Sequence, residues 1–184
     1  AREGPHATRD GGSPYCAALL GGETALLLVW FRPAQGLSVP TAARADFERI
    51  GYGLFANVHN GPRTLVLRDY HVDNLMRLQD RDSIKACGLL DFQDALGGHP
   101  AYDLMSLLQD ARRDIGAPLQ ADMLERYRDA LNISGPAWDD FERAYATLAA
   151  RRHAKATGIF PRLPRRDGTP VYPNPIPRAR RARG

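Results

Sequence analysis

The amino-acid sequence predicts an α+β domain that is mostly helical and contains one small β-hairpin. Two observations support this fold class. Most of the chain from Glu23 to Phe160 carries apolar residues at helical spacing, in segments separated by proline or glycine. Two short β-prone runs, Thr64–Leu67 and Cys87–Asp91, interrupt these helical segments. With 184 residues, 43% of them hydrophobic, the chain is long enough to form one domain with its own core.

The predicted domain begins with two helices. The first extends from Glu23 to Phe31 and should stop at Pro33, because proline lacks the N–H that a helix interior needs. The second begins at Pro40 and Thr41. Its apolar residues at positions i, i+3 and i+7 predict one buried stripe, which consists of Phe47, Ile50 and Leu54.

The predicted β-hairpin comes next. Thr64–Leu67 is its first strand, and Asn74–Leu78 is the returning strand. A polar turn then leads to the strand Cys87–Asp91, in which Cys87 is expected to be a small buried residue. Asp91 stands at the end of that strand, where a carboxylate can face a ligand cleft.

Three further helices are predicted after the strands. Gly97–Pro100 breaks the chain before the first, which extends from about Ala101 to Arg113 and is apolar over a wide face. Pro118 precedes the second, and Ser134–Pro136 begins the third. The third helix is expected to bury Trp138, Phe141, Tyr145 and Leu148. The arginine pair Arg151–Arg152, further along it, is expected to be exposed to solvent.

Composition divides the chain into three parts. Residues 1–22 are rich in glycine and charge and are expected to be poorly ordered, residues 23–160 form the domain, and residues 161–184 are a Pro/Arg-rich extension. The extension has seven arginines and one acid, a charge of +6, so a total of +4 leaves −2 for the rest. The basic charge therefore lies in a segment more typical of a solvated or partner-facing tail than of a nucleic-acid site.

Neither a membrane nor a nucleic acid is a predicted partner. The apolar run from Ala17 to Phe31 is interrupted by Gly21, Gly22 and Glu23, and it is shorter than the about 20 residues that a membrane span needs. No sorting signal is visible. Cys16 and Cys87 lie far apart and fit no disulfide or metal spacing, so a reduced, cytoplasmic setting is expected.

The strongest functional signal is the sequence LRDYHVDN at Leu67–Asn74, followed by an aspartate that closes an apolar run, Asp91. An aspartate, an asparagine five residues later and a second aspartate on a strand end is the order that kinase-type phosphoryl transfer requires. Asp69 would orient and deprotonate the attacking hydroxyl. Asn74 and Asp91 would hold Mg²⁺ against the phosphates of ATP, and oxygen ligands suit magnesium.

Two neighbouring residues have more than one interpretation. His71 is either a hydrogen-bonding residue of the loop or a direct participant, and with the nearby acids it also suggests a metal site. Hard oxygen ligands favour magnesium there, whereas zinc would favour more histidine or cysteine. Asp94 either reaches a second metal ion or caps the loop.

Two other charged residues are interpreted as structural supports of the catalytic loop. Asp103 stands on an apolar helix face, and a buried carboxylate persists only when it is hydrogen-bonded. Arg68 is expected to neutralise an acid beside the loop, with phosphate binding as the alternative.

These motifs resemble those of the aminoglycoside phosphotransferase and choline kinase family. Asp69–Asn74 resembles its aspartate–x–histidine–x–x–asparagine motif, Asp91–Ala95 its magnesium motif and His99–Leu104 the signature that follows. The flanking stretches Lys155–Phe160 and Arg166–Gly168 bring the resemblance closest to bacterial anomeric N-acetylmuramate and N-acetylglucosamine kinases. The resemblance implies the C-terminal lobe of a protein-kinase-like fold. It also implies transfer of a phosphoryl group from ATP to an amino sugar of cell-wall recycling.

The chain departs from that family in one respect. No glycine-rich phosphate loop precedes Asp69, and both lysines, Lys85 and Lys155, follow it. The resemblance therefore implies that an N-terminal lobe is missing and that this chain alone does not turn over substrate. Three rival functions stay open: a non-catalytic kinase-lobe remnant that binds or regulates, a metal-dependent phosphohydrolase, and nucleic-acid binding through the tail.

Overall fold

The computed structural model of the protein describes residues 24–110 and 113–159. The two predicted terminal segments, 1–22 and 161–184, lie outside these ranges. Within them, a π-helical turn Leu27–Phe31 continues into the first of five α-helices, α1 (Arg32–Ala34). The other four are α2 (Thr41–Asn60), α3 (Ala101–Leu108), α4 (Ala117–Leu131) and α5 (Pro136–Ile159), and two short 3-10 turns lie at Val72–Asn74 and Ser83–Ala86. None of the helices in the described ranges is long and apolar enough to cross a membrane.

Four short strands lie between α2 and α3, and they pair differently from the prediction. The strands are β1 (Thr64–Val66), β2 (Leu75–Arg77), β3 (Cys87–Leu89) and β4 (Leu96–Gly98). β1 pairs antiparallel with β4, and β2 pairs antiparallel with β3. The predicted pairing of the first strand with Asn74–Leu78 is therefore wrong, and the hairpin is formed by β2 and β3.

The β1–β4 pairing has a steric reason at a glycine. Val66 is almost fully buried, with 2% of its surface exposed, and β4 lies directly beside it. A Cβ atom added at Gly98 would lie 3.0 Å from Cγ2 of Val66, so the lack of a side chain allows the close approach. Gly97 and Gly98, predicted to break the chain, form part of a strand instead.

The core lies between α3, α5 and the C-terminal part of α2. Met105 of α3 and Leu148 of α5 are its most deeply buried large side chains. The predicted core face of α5 is confirmed, because Phe141, Tyr145 and Leu148 are buried and Trp138 packs against them. The rings of Trp138 and Phe141 stack with centroids 5.1 Å apart.

The predicted buried stripe of α2 is wrong. Ile50 and Leu54 are 53% and 49% exposed, and Phe47 is half-buried. The residues of α2 that enter the core are Phe55 and Val58. The core lies beside the C-terminal half of this helix. The spacing of apolar residues predicts that a helix has an apolar face, but it does not predict which residues of the helix the rest of the domain covers.

Two helix boundaries and two exposures also differ from prediction. Pro33 lies inside α1, where it removes one backbone donor without ending the helix, and the chain turns only at Gly36, whose φ is +72°. The helix α3 ends at Leu108 rather than Arg113. Cys87 is exposed on β3, whereas Arg151, predicted exposed, is buried over the ring of Tyr102.

A buried histidine connects β4 to the beginning of α3. The Nδ1 atom of His99 accepts a hydrogen bond from the backbone N–H of Ala101 at 3.2 Å. This satisfies one of the N–H groups that have no partner in the first turn of a helix. Burial lowers the pKa of His99 below its ordinary value of 6.5, and Nδ1 can accept this bond only when it carries no proton.

We expect the free energy of unfolding to fall as the pH drops below about 6.5. The pKa of His99 is lower in the folded than in the unfolded protein, so the unfolded chain binds a proton that the folded chain resists. The test is chemical denaturation at pH 7.5 and pH 5 of the wild type and of His99→Asn, which keeps a hydrogen-bond acceptor. The difference in the free energy of unfolding between pH 7.5 and pH 5 should be smaller in the variant. Burial and the charge of Arg152 also lower the pKa of His153, so His153 should cause part of the pH dependence that remains in His99→Asn. A difference that is unchanged in His99→Asn would contradict the prediction.

Candidate functional site

Asp103, on α3, fixes the backbone of the loop between β1 and β2. The carboxylate of this residue, in the first turn of α3, accepts hydrogen bonds from the backbone N–H of Leu67 at 2.8 Å and from that of Arg68 at 3.1 Å. Burial raises the pKa of the Asp103 carboxyl, while these two bonds act in the opposite direction because they favour the charged form. One side chain therefore fixes two consecutive peptide groups, Val66–Leu67 and Leu67–Arg68, shortly before Asp69.

The backbone of Arg68 is in the left-handed region, with a φ of +70°. A residue with a Cβ atom is strained in this conformation and needs support from its surroundings. The support comes from the N–H bond to Asp103 and from the hydroxyl of Ser106, which lies 3.4 Å from the Arg68 carbonyl oxygen. The backbone of Arg68 is thus part of the loop's support.

Asn74 connects the two predicted functional loops. Its amide nitrogen donates a hydrogen bond to the backbone carbonyl of Asp69 at 2.8 Å and lies 3.5 Å from Oδ2 of Asp91. The backbone adds a second connection, because the N–H of Leu90 bonds to the carbonyl of Asn74 at 2.9 Å. The side-chain amide of Asn74 therefore contacts both the backbone of Asp69 and the carboxylate of Asp91, which lies 22 positions further along the sequence.

The Asp91 carboxylate is directed by its own loop. Asp91 has a φ of +55°, a left-handed conformation just beyond the end of β3, and its Oδ1 accepts a hydrogen bond from the side chain of Gln93. Asp94 is exposed on the same loop. Its predicted role, as a second metal ligand or as a cap, stays a prediction.

His71 is buried beside Asn74, with 8% of its surface exposed. Its Nε2 lies 3.3 Å from the amide nitrogen of Asn74, and its Nδ1 lies 3.9 Å from Oδ2 of Asp73. Asp73 in turn pairs with Arg113 at 2.7 Å, across 40 residues of sequence. The sequence analysis missed Arg113, because nothing local to that residue indicates an acid so far away along the chain.

Asn74 and Asp91 offer the kinds of oxygen atom that bind magnesium, an amide oxygen and a carboxylate. The amide nitrogen of Asn74 makes the contacts described above, including the one at 3.5 Å to Oδ2 of Asp91, so its oxygen is the atom that could bind a cation. No group of three or more His, Cys, Asp or Glu side chains that could hold a metal occurs in the described part of the chain. Mg²⁺ does not need such a cage, because with a nucleotide present it takes most of its ligands from phosphate and water.

A mostly helical domain that brings an aspartate, an asparagine and a second aspartate together on two adjoining loops has the layout of a phosphoryl-transfer site. The family model described as "Phosphotransferase enzyme family" matches residues 20–145, more than half of this chain. The chain belongs to that family, and the resemblance found in the sequence is confirmed.

Curated relatives with the name N-acetylmuramate/N-acetylglucosamine kinase are similar to this chain. The protein of Caulobacter vibrioides is 38% identical over 155 residues, which are 83% of this chain and 42% of the relative. That of Neisseria meningitidis serogroup B is 40% identical over 121 residues, 64% of this chain and 35% of the relative. That of Pseudomonas aeruginosa is 34% identical over 169 residues, 89% and 48% respectively. The chain thus spans about a third to a half of the length of these relatives.

Replacing Asp103 by alanine should lower the free energy of unfolding by about 1–3 kcal/mol, because two backbone N–H groups lose their acceptor. Urea denaturation of the variant measures this loss. The matched control is Asp122→Ala, which removes an exposed carboxylate that pairs with Arg126 on α4 and should cost under about 0.5 kcal/mol. Equal effects of the two substitutions would contradict the supporting role of Asp103.

Proposed function

We propose that this chain provides the catalytic and metal-binding part of an amino-sugar kinase. The reaction is transfer of the γ-phosphoryl group of ATP to a hydroxyl of N-acetylmuramate or N-acetylglucosamine, the substrates in the names of the relatives. A cytoplasmic role in cell-wall recycling accompanies this proposal. The observation that carries it is the convergence of Asp69, Asn74 and Asp91, combined with membership of the phosphotransferase family.

Asp69 is the proposed general base. Its side chain is exposed, while its backbone carbonyl is fixed by Asn74, so the carboxylate can reach a bound acceptor without losing its place in the loop. In the proposed reaction the sugar hydroxyl oxygen attacks the γ-phosphorus, the bond from that phosphorus to the departing ADP oxygen breaks, and the hydroxyl proton passes to Asp69. ADP and the sugar phosphate are the products.

Asn74 and Asp91 are the proposed ligands of Mg²⁺, which would neutralise phosphate charge when bound. The chain's own contribution is to hold these oxygen donors in place. Gln93 directs the Asp91 carboxylate, and His71 lies against the Asn74 amide. His71 and Gln93 are therefore proposed to position the donors rather than to take part in the chemistry.

We also propose that residues 23–160 correspond to the C-terminal lobe of a protein-kinase-like fold, and that tight nucleotide binding requires a second lobe. The chain spans 42% of the Caulobacter relative, so a large part of that protein has no matching segment here. Near the Asp91 loop, three apolar side chains are 42–57% exposed, and they are Leu89, Leu90 and Phe92. An apolar surface beside a phosphate site is suited to contact with the nucleotide or with another lobe.

The role of Asp69 can be tested in a chimera that fuses the unmatched part of the Caulobacter relative to this chain. Asp69→Asn should lower the turnover number about 10²–10⁴-fold and leave the dissociation constant of ATP nearly unchanged, because only proton transfer is lost. ADP release and nucleotide titration measure the two quantities. Asp80→Asn, in the exposed turn between β2 and β3, is the matched control and should retain full turnover. Near-normal turnover of Asp69→Asn would remove this residue from its proposed role.

The chain by itself should show no sugar-dependent ADP release with Mg²⁺ and either amino sugar. Phosphoryl transfer depends on a triphosphate held from both sides, and pre-organised geometry is worth up to about 7–11 kcal/mol. A coupled ADP assay on the purified chain and on the chimera makes the measurement. Turnover by the chain alone would contradict the need for a second lobe, whereas an inactive, well-folded chimera would favour the alternative of a non-catalytic binding module.

A further inference from the structure

Ser106 has a contact with the catalytic loop that the proposed reaction does not use. It is fully buried in the middle of α3, three residues after Asp103, so the two side chains lie on the same face of the helix. Asp103 binds the N–H of Arg68, and the Ser106 hydroxyl lies 3.4 Å from the carbonyl oxygen of the same residue. Both polar groups of Arg68's backbone are therefore held by α3.

The hydroxyl of Ser106 is itself held by a residue from the other end of the chain. Nη1 of Arg152, on α5, lies 2.9 Å from Oγ of Ser106. A guanidinium group only donates hydrogen bonds, so Ser106 must be the acceptor in this pair. The hydrogen of the Ser106 hydroxyl is then available for the Arg68 carbonyl. Arg152 therefore donates to Ser106, and Ser106 donates to Arg68.

This direction matters because the Arg68 carbonyl belongs to the peptide group that joins Arg68 to Asp69. Arg68 has a φ of +70°, a conformation that a non-glycine residue keeps only when its neighbours hold it. Without a donor from Arg152, the Ser106 hydroxyl could turn to a carbonyl of its own helix, as buried serines in helices do. The peptide group between Arg68 and Asp69 would then lose the bond to its carbonyl and keep the bond from its N–H to the Leu67 carbonyl at 2.9 Å.

We propose that Arg152 and Ser106 are positioning residues that fix the peptide group between Arg68 and Asp69, and thereby the direction of the Asp69 side chain. The effect on catalysis rests on the proposed function, but the effect on the loop does not. The adjacent Arg151 differs in kind, since it is buried over the ring of Tyr102, 5.8 Å from the centroid. Of these two successive arginines of α5, Arg151 packs in the core and Arg152 supports the loop through Ser106.

The experiment is hydrogen–deuterium exchange of the purified chain, resolved at the backbone amides of Leu67, Arg68 and Asp69. In Arg152→Met and in Ser106→Ala, exchange at these amides should rise about tenfold, the effect of losing one buried hydrogen bond. Exchange in α4 should stay unchanged. Because the two residues act in one chain, the double variant should exchange no faster than the single variants. Arg152→Lys, which keeps a donor, should restore part of the protection. Arg126→Met, which removes an exposed arginine on α4, is the matched control.

A purely structural role for Arg152 predicts a different result. Exchange would then rise throughout the chain together with the loss of overall stability. Such a uniform rise, or unchanged exchange at the three loop amides in both Arg152→Met and Ser106→Ala, would overturn the proposal. If Arg152→Met fails to fold, Ser106→Ala and Arg152→Lys replace it. Unchanged exchange at the three loop amides in Ser106→Ala would then overturn the proposal, and Arg152→Lys should exchange more slowly there than Ser106→Ala. Since no step of this test depends on phosphoryl transfer, failure of the proposed kinase activity and failure of this inference remain distinguishable.

Discussion

The bond pair between the Asp103 carboxylate and the N–H groups of Leu67 and Arg68 is the interaction on which the rest of the site depends. It connects the most deeply buried helix of the domain to the loop that carries Asp69, and it does so through backbone rather than through another side chain. A half-buried carboxylate with two backbone donors is strongly directional, because each oxygen has one partner at a fixed place. The packing of α3 in the core, through Met105 and its neighbours, therefore fixes the first part of the loop, and the Asn74 amide holds the loop from its other end.

The same principle explains why two left-handed residues flank the site. Arg68 and Asp91 both have positive φ angles, and each stands where the chain leaves a strand and turns toward the shared amide of Asn74. Such conformations are costly for residues with a Cβ atom, and hydrogen bonds from neighbouring elements offset the cost. The chain passes twice between the β1–β4 pair and the β2–β3 pair, once through the Asp69 loop and once through the Asp91 loop. That topology places the two loops side by side.

The chain belongs to a family of phosphotransferases, but it spans less than half of its kinase-named relatives. The proposed second lobe would explain the exposure of several apolar side chains. Ile50 and Leu54 on α2 and Phe92 beside the Asp91 loop are large apolar side chains with about half of their surface in water. In the proposed reaction, the residues described here would supply the general base and the metal ligands. A second lobe would then supply much of the contact with the triphosphate.

Much of the fold and of the site could be predicted from the sequence because the relevant signals are local. The order of Asp69, Asn74 and Asp91, the family resemblance, and the core face of α5 all follow from spacing along a short stretch of chain. The tertiary structure alone decided which strand pairs with β1, which side of α2 enters the core, and that Arg151 is buried while Cys87 is exposed. Each of these depends on an element distant in sequence, such as Gly98 beside Val66 or Tyr102 beneath Arg151. The connection from Arg152 through Ser106 to Arg68 is of the same kind, because its first two members lie 46 positions apart and no periodic signal in the sequence relates them.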